Sequence, residues 1–232
     1  MAGLGTAAKA DLFRPEEGDH RQSDGDPNAV RYYEQARMKY GKKKYPEALE
    51  AIEKLLVYDP LHAGGLLLNA MVLEAMGRYE ESRSQYENVL AKHPTLSQAH
   101  REFGRYLLRE EQSLQSAESY LLRGLIINPQ DSFAHALLAD VYIRTNRKQQ
   151  AVLHLEIAFR QPVDDLRYCE TCAHVLGRLG EGDEEVDYLR HAILSNSENR
   201  ALKNRVRKAL RAQEKAKKEL PAIKRVIQRV WS

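Results

Sequence analysis

Four prolines mark a regular period along the chain. Pro60, Pro94, Pro129 and Pro162 are separated by 34, 35 and 33 residues. Between successive prolines, apolar residues recur every three to four positions in two segments that a short polar turn joins, which is typical of two amphipathic helices. The pattern therefore predicts a series of helical hairpins, each about 34 residues long.

The clearest copy of this pattern spans residues 63–94. Its turn contains Gly77, and Pro94 ends its second helix because proline cannot continue a helix. Its helices carry small or apolar residues at helical spacing: Leu66, Ala70 and Leu73 in the first, and Ser82, Tyr86, Val89 and Leu90 in the second. A period of about 34 residues, a small residue in each helix and a closing proline resemble the tetratricopeptide repeat (TPR) family.

The same frame fits five consecutive copies. The third copy has one extra residue near its turn at residues 111–112, and the fifth is degenerate, because Glu185 replaces the small residue and Ser197 replaces the closing proline. The predicted array covers residues 29–199, divided as 29–62, 63–96, 97–131, 132–165 and 166–199.

The resemblance implies an all-α, right-handed solenoid of about five repeats. No single repeat can bury its apolar face alone, so neighbouring repeats must stack. The family resemblance further implies that the first helix of each repeat lines a concave groove. It also implies a non-catalytic adaptor or scaffold that binds a protein partner in that groove.

The two ends of the chain do not follow the repeat. Residues 1–28 contain glycines, prolines and acidic residues without apolar periodicity, and we expect a disordered acidic tail. Residues 200–220 are predicted to form a basic helix that caps the last repeat, because Leu202, Val206 and Leu210 recur at helical spacing. Pro221 ends that helix, and residues 221–232 are predicted to form a second basic, amphipathic helix.

The charge of the chain is unevenly distributed. The net charge is +3 at pH 7, but residues 200–232 carry 12 Lys and Arg against 2 Glu, a net of +10. The remaining residues therefore carry −7. An acidic body with a basic tail indicates that the two parts meet different partners; the alternative is that the basic residues only solvate the end of the chain.

The composition narrows the class of protein. The 2 cysteines exclude a disulfide scaffold, and no apolar run is long enough to cross a bilayer. The N-terminus lacks the apolar core of a signal peptide, so we expect a cytoplasmic protein. Phosphate-binding loops, hydrolase and metalloprotease signatures and dinucleotide fingerprints are absent from the sequence. We therefore expect no enzyme, cofactor, metal or small-molecule substrate.

Cys169 and Cys172 are the one pair of residues that invites a chemical interpretation. Together with the His-Arg-Glu sequence at residues 100–102 they echo a zinc-deaminase pattern, but Tyr168 stands where that pattern has proline. They could also form a redox pair, or join His174 in a metal site, although structural zinc usually has four ligands. Packing in the core is the favoured interpretation.

The groove should carry the binding function. Arg101, Arg105 and Arg109 stand at i, i+4 and i+8 and therefore share one helix face. Arginine suits carboxylates, so we expect a partner peptide or helix with acidic and apolar residues. The alternative is that these arginines pair with acidic residues of the groove itself, such as Glu74 and Glu102. The predicted groove residues are Tyr33, Arg37, Tyr40, Leu67, Met71, Arg101, Arg105, Arg109, Phe133, Asp140, Arg144 and Arg178.

Some members of the family grip the C-terminal carboxylate of molecular chaperones through a clamp of Lys, Asn and Arg. The matching positions here are Tyr33, Arg37, Leu68, Gln98 and Glu102, and none keeps the residue type of the clamp. A chaperone-clamp role is therefore not expected.

The basic tail allows three interpretations. It could dock on a second protein, which we favour, or bind anionic lipid, or contact nucleic-acid phosphates. The last two make the chain a peripheral membrane or nucleic-acid tether. The predicted docking residues are Arg205, Lys208, Arg211, Lys224, Arg225, Arg229 and Trp231.

Overall fold

The computed structural model describes residues 26–109, 113–160, 163, 165–179, 200, 203–204, 207–208 and 211. The chain divides into two units, the first ending at Pro129 and the second beginning at Gln130. Unit 1 contains α1 (Pro27–Gly41), α2 (Tyr45–Tyr58), α3 (Ala63–Ala75), α4 (Tyr79–Lys92), α5 (Ser97–Leu107) and α6 (Leu114–Ile127). Unit 2 contains α7 (Ser132–Arg144), α8 (Lys148–Ala158) and α9 (Leu166–Arg178).

The start of α1 corrects one predicted boundary. The sequence pattern places Pro27 and Asn28 in the N-terminal tail, but they are the first two residues of the helix. The carboxylate of Asp26 accepts a hydrogen bond from the Asn28 backbone N–H at 2.8 Å. Proline is favoured in the first turn, where its missing N–H has no partner to lose. The acidic residue and the proline therefore belong to the helix start.

Unit 1 consists of three helical hairpins. Each helix packs on its hairpin partner, α3 also packs on α1 and α2, and α5 also packs on α4. The second helices bury a small residue at the repeating position, namely Ala48, Ser82 and Ala117. The Ser82 hydroxyl donates to the Ala70 carbonyl oxygen at 2.9 Å, which joins the small positions of α3 and α4. Small side chains at these positions let the paired helices approach closely.

Three of the turns between paired helices have a left-handed residue at the same place in the repeat. Lys43, Gly77 and Asn146 have φ values of 59°, 77° and 58°. Glycine adopts this conformation without strain, whereas other residues pay a steric cost through their Cβ. The repeat thus fixes the backbone of the turn more strictly than its residue type.

Gly77→Ala is expected to lower the free energy of unfolding by about 1 kcal/mol, because an L residue is strained at positive φ. Lys43→Gly, at the equivalent position, should raise it by up to about 1 kcal/mol for the converse reason. Urea denaturation of both variants, monitored by circular dichroism, tests both expected changes. Equal effects in the same direction would contradict the explanation.

Unit 2 begins with a fourth hairpin. The Asp131 carboxylate caps α7 by accepting from the Ala134 N–H at 3.0 Å. Helix α7 packs on both α8 and α9, and the rings of Phe133 and Tyr168 meet edge to face at 6.2 Å between centroids. Helix α9 lies at the first-helix position of the predicted fifth repeat.

Several predicted segments lie outside the described residues. These are most of the N-terminal tail, the second helix of the fifth repeat and nearly all of the two C-terminal helices, apart from single helical residues such as Lys208 and Arg211. None of the helices within the described ranges has the length and apolar character that crossing a membrane requires. The cytoplasmic location stays a prediction.

Candidate functional site

The first helices of unit 1 are α1, α3 and α5; α1 packs on α3, and α5 is joined to α3 by side-chain contacts. We call the surface of these three helices, together with Tyr79 at the start of α4 and Arg109 in the turn that follows α5, the first-helix face. Arg101, Arg105 and Arg109 were predicted to share one helix face, but α5 ends at Leu107, so Arg109 lies in the turn that follows it. The three arginines also differ in exposure. Their side chains are 10%, 20% and 41% exposed, respectively. The row therefore runs from a covered end to an open end.

Arg105 sits between two carboxylates. Its Nε donates to Glu102 Oε2 at 2.8 Å, within α5. Its Nη1 donates to Glu74 Oε1 at 3.0 Å, and its Nη2 donates to the other oxygen of the same carboxylate, on α3. The buried hydroxyl of Tyr86, on α4, also donates to Glu74, at 3.0 Å. These four residues, which we call the ion-pair network, connect α3, α4 and α5.

The electrostatics of the network favour its charged form. Burial alone would lower the pKa of the Arg105 guanidinium, but the nearby Glu102 and Glu74 more than offset this and hold that pKa well above its ordinary value. Burial raises the pKa of the Tyr86 phenol, so that it stays a neutral donor. The bidentate pair of Arg105 and Glu74 is mostly removed from solvent and belongs to the packing between α3 and α5.

The open end of the row has different contacts. The Arg109 guanidinium lies 3.8 Å from the centroid of the Tyr79 ring, a cation–π geometry. Its Nη1 is 3.7 Å from Glu74 Oε1, which is beyond hydrogen-bonding distance. The Tyr106 hydroxyl donates to the Tyr79 carbonyl oxygen at 2.9 Å and fixes the start of α4. Arg109 and Tyr79 are both exposed.

The α1 part of the face is built around Tyr33. The centroid of its ring lies 4.5 Å from the centroid of the His62 ring and 5.8 Å from Cζ of the Arg37 guanidinium. Gly64 leaves room for the tyrosine, since a Cβ there would lie 2.4 Å from the Tyr33 hydroxyl oxygen. Burial raises the pKa of Tyr33 to about 12. Tyr40, further along α1, packs half-buried against the core of the first hairpin.

Lowering the pH from 7 to 5 is expected to reduce the free energy of unfolding of unit 1 by about 1 kcal/mol, because His62 becomes protonated. Its Nδ1 accepts the Gly65 N–H at 2.9 Å and caps α3, which only the neutral ring can do. Burial lowers the pKa of His62. This contribution is complete above pH 6.5 and is lost as the pH falls through the lowered value. His62→Asn keeps a capping oxygen without the titration, so denaturation measured across this range should show a flatter profile than wild type. Identical profiles would contradict this role.

In unit 2 two of the predicted groove residues, Asp140 and Arg144, are paired with each other. The buried carboxylate of Asp140 lies 2.7 Å from Arg144 Nη2 and 3.5 Å from His174 Nε2, which links α7 to α9. Phe133 is buried, and Arg178, the last residue of α9, is exposed. The pairing between acidic and basic residues that the sequence left open is thus present in both units.

The comparisons with known proteins agree with the repeat. The tetratricopeptide repeat family matches residues 67–132 of the chain. The chain therefore contains tetratricopeptide repeats. No curated protein matches its sequence significantly. Solved TPR structures share its fold, which confirms the predicted all-α TPR class.

Three of these structures are each 18% identical to the chain and therefore inform on the fold alone. TTC0263, a thermophilic TPR protein of Thermus thermophilus, has a TM-score of 0.63 over 78% of this chain and 98% of its own. MamA from Desulfovibrio magneticus RS-1 has 0.54 over 74% and 99%. YrrB, described as a TPR protein with an unusual peptide-binding site, has 0.52 over 80% and 92%.

Three apolar residues predicted to line the TPR groove are buried. Leu67 and Met71 are 0% and 1% exposed, and Phe133 is also buried. Their helices bury nearly every side chain over several turns, so these residues contribute to the core and present no apolar surface. Conversely, sequence reasoning missed Tyr79, whose only signal was its place in the Gly-Arg-Tyr turn before α4.

The two cysteines of α9 are buried, as the packing interpretation expects. Cys169 and Cys172 are both 0% exposed, and burial raises the pKa of the Cys172 thiol, which makes it a poor nucleophile or metal ligand. Within the described residues, no three His, Cys, Asp or Glu side chains cluster as metal ligands. Of the predicted tail residues, Lys208 and Arg211 are exposed, and the other five lie outside the described part of the chain.

Proposed function

We propose that this TPR protein is a non-catalytic scaffold that holds a segment of a partner polypeptide against its first-helix face. The observation that carries the proposal is the exposed pair of Arg109 and Tyr79 at the open end of the arginine row. Arginine and tyrosine are the residue types that dominate the binding energy of protein interfaces. The likeness of the fold to YrrB, described as having a peptide-binding site, supports the same class of function.

The partner segment would carry acidic and apolar residues. The first-helix face offers the guanidinium of Arg109 and, at the other end, Arg37, which hydrogen-bonds Glu34 at 3.0 Å and remains partly exposed. Both arginines lie beside tyrosine rings, so a ligand would meet cationic and aromatic surface together.

The basic tail would dock a second component of the same assembly. Its net charge of +10 over residues 200–232 and the exposure of Lys208 and Arg211 support a contact with an acidic surface. The same observations favour a second candidate function, in which the tail tethers the array to an anionic membrane or to nucleic acid.

Quantitative crosslinking in the native source, with three full-length baits, tests which partners bind the first-helix face and which bind the tail. One bait is wild type, and one is a face variant with Arg37→Gln and Arg109→Gln, which leaves the ion-pair network intact. The third is a tail variant in which four basic residues become Gln: Lys208, Arg211, Lys224 and Arg225.

A polypeptide that is lost only from the face variant supports binding on the first-helix face. A partner lost only from the tail variant assigns the main contact to the tail. The tether is supported if purified wild type, but not the tail variant, binds anionic liposomes or RNA with a steep salt dependence. Equal recovery of every crosslinked protein by wild type and the face variant would refute the proposed binding face.

A further inference from the structure

We propose that Arg109 and Tyr79 form a recognition point for a side-chain carboxylate, a Glu or Asp, of the bound polypeptide. The inference rests on the proposed function and assigns the ligand chemistry to two residues. It also separates Arg109 from Arg101 and Arg105, which lie in the same row and carry the same charge.

The first argument is the use of the available carboxylate oxygens. Arg105 engages both oxygens of Glu74, and Tyr86 donates to one of them. Glu102 lies 3.4 Å from the Arg101 guanidinium and also binds Arg105. Arg109 reaches Glu74 only at 3.7 Å. Among the described residues, the two carboxylates are therefore committed to hydrogen bonds that do not include Arg109.

The second argument is the surplus charge. The row supplies three guanidinium groups against the two carboxylates of the network, and the most exposed of the three is Arg109. Glu110 and Glu111, which follow it, lie outside the described residues. An excess positive charge that is partly desolvated by an aromatic ring favours an anionic ligand.

The third argument is geometry. An arginine that stacks its flat face on a ring keeps the N–H groups of its edge for a planar, bidentate acceptor, which a carboxylate provides. Tyr79 is 44% exposed, and Met76 in the same turn is 37% exposed, so an apolar neighbour of the acidic residue would find a surface beside it. The hydrogen bond from Tyr106 to the Tyr79 carbonyl holds the ring's backbone in place, which lowers the entropy cost of binding.

The test uses two fluorescein-labelled peptides of 12 residues with amidated C-termini, one in which Glu, Leu and Ser alternate and a matched one with Gln in place of Glu. Fluorescence anisotropy with the full-length chain should show about tenfold tighter binding of the Glu peptide. Arg109→Gln should reduce this preference to the part that the basic tail contributes. Arg109→Lys should reduce the preference less, since lysine retains the charge without the planar fork.

Matched controls isolate the site. Arg83→Gln removes another exposed arginine, paired with Glu87 one turn along α4, and should leave the tenfold preference unchanged. The basic tail is present in every variant, so its attraction for acidic peptides cancels in the comparison. Circular dichroism should show an unaltered melting temperature for Arg109→Gln, because its side chain lies outside the buried network.

An unchanged preference in the Arg109→Gln variant would overturn the inference, and so would equal binding of the two peptides by wild type. Neither result would contradict the proposed scaffold function. That function is refuted only if wild type and the face variant recover every crosslinked protein equally. A preference for a Gln peptide with a free C-terminus over its amidated form would move the ligand from a side chain to a chain terminus, and likewise overturn the assignment.

Discussion

Replacing Arg105 with glutamine is expected to lower the free energy of unfolding by about 3–5 kcal/mol, although the residue belongs to a row that suggests a binding surface. The substitution leaves the carboxylates of Glu74 and Glu102 close together and without their shared cation. Both are largely removed from solvent, at 10% and 0% side-chain exposure, so water cannot replace the lost partner. Breaking a buried ion pair by removing one member is strongly destabilising for this reason.

Urea denaturation of the full chain, monitored by far-ultraviolet circular dichroism, measures this change in the free energy of unfolding. Arg83→Gln is the control, because an exposed pair contributes about 0–1 kcal/mol. The double variant Glu74→Gln with Arg105→Gln should recover part of the loss, because it removes one of the two stranded charges. A loss below about 1 kcal/mol for Arg105→Gln would show that the network does not stabilise the fold.

This result would also show which arginines of the row stabilise the fold and which are available to bind a partner. Charge reversal of the whole row would unfold unit 1 through Arg105 and would therefore report nothing on partner binding. Single substitutions at Arg109 avoid that effect, since its side chain contacts the Tyr79 ring at the surface. Stability and binding are thus expected to respond to different members of one sequence pattern.

The period of the sequence was sufficient to predict the hairpins. The spacing of Pro60, Pro94 and Pro129 reports a physical repeat, because each proline ends a second helix and each following helix starts a few residues later. The small residues at the repeating positions are buried as expected, since only they allow paired helices to come close. Local rules of this kind need no knowledge of distant contacts.

The chemistry of the first-helix face could not be predicted in the same way. Spacing places Met71 and Arg105 on a face, but it does not show how deeply neighbouring helices cover that face. It also does not show which carboxylate each arginine meets: Glu74 lies 31 residues before Arg105 in sequence. Tyr79 was overlooked because it stands at a helix start, outside the periodic positions, and becomes notable only when Arg109 is placed on its ring.

The second large effect is expected at Gly104, where α5 meets α6. A Cβ on this residue would lie 2.7 Å from Leu121 Cγ and 3.3 Å from the Ala117 carbonyl oxygen. Gly104→Ala gains about 1 kcal/mol of helix propensity, but the overlap with fully buried groups costs more, for a net loss of about 1–2 kcal/mol. Gly104→Val adds two further methyl groups to the same contact and should cost about 3 kcal/mol.

A double-mutant cycle separates this overlap from other effects of the substitution. Leu121→Ala alone should cost about 2–5 kcal/mol by leaving a cavity, but with Gly104→Ala in the same chain the new methyl group enters that space. The combined loss should therefore be smaller than the sum of the two single losses. Gly41→Ala is the matched control: its Cβ meets nothing within 4 Å, so the loss of chain entropy in the unfolded state should stabilise the protein by about 0.4–1 kcal/mol. Additive losses in the cycle, or a gain in stability for Gly104→Ala like that for Gly41→Ala, would show that α5 and α6 can separate at this contact. The small residue at position 104 would then not set the distance between the two helices.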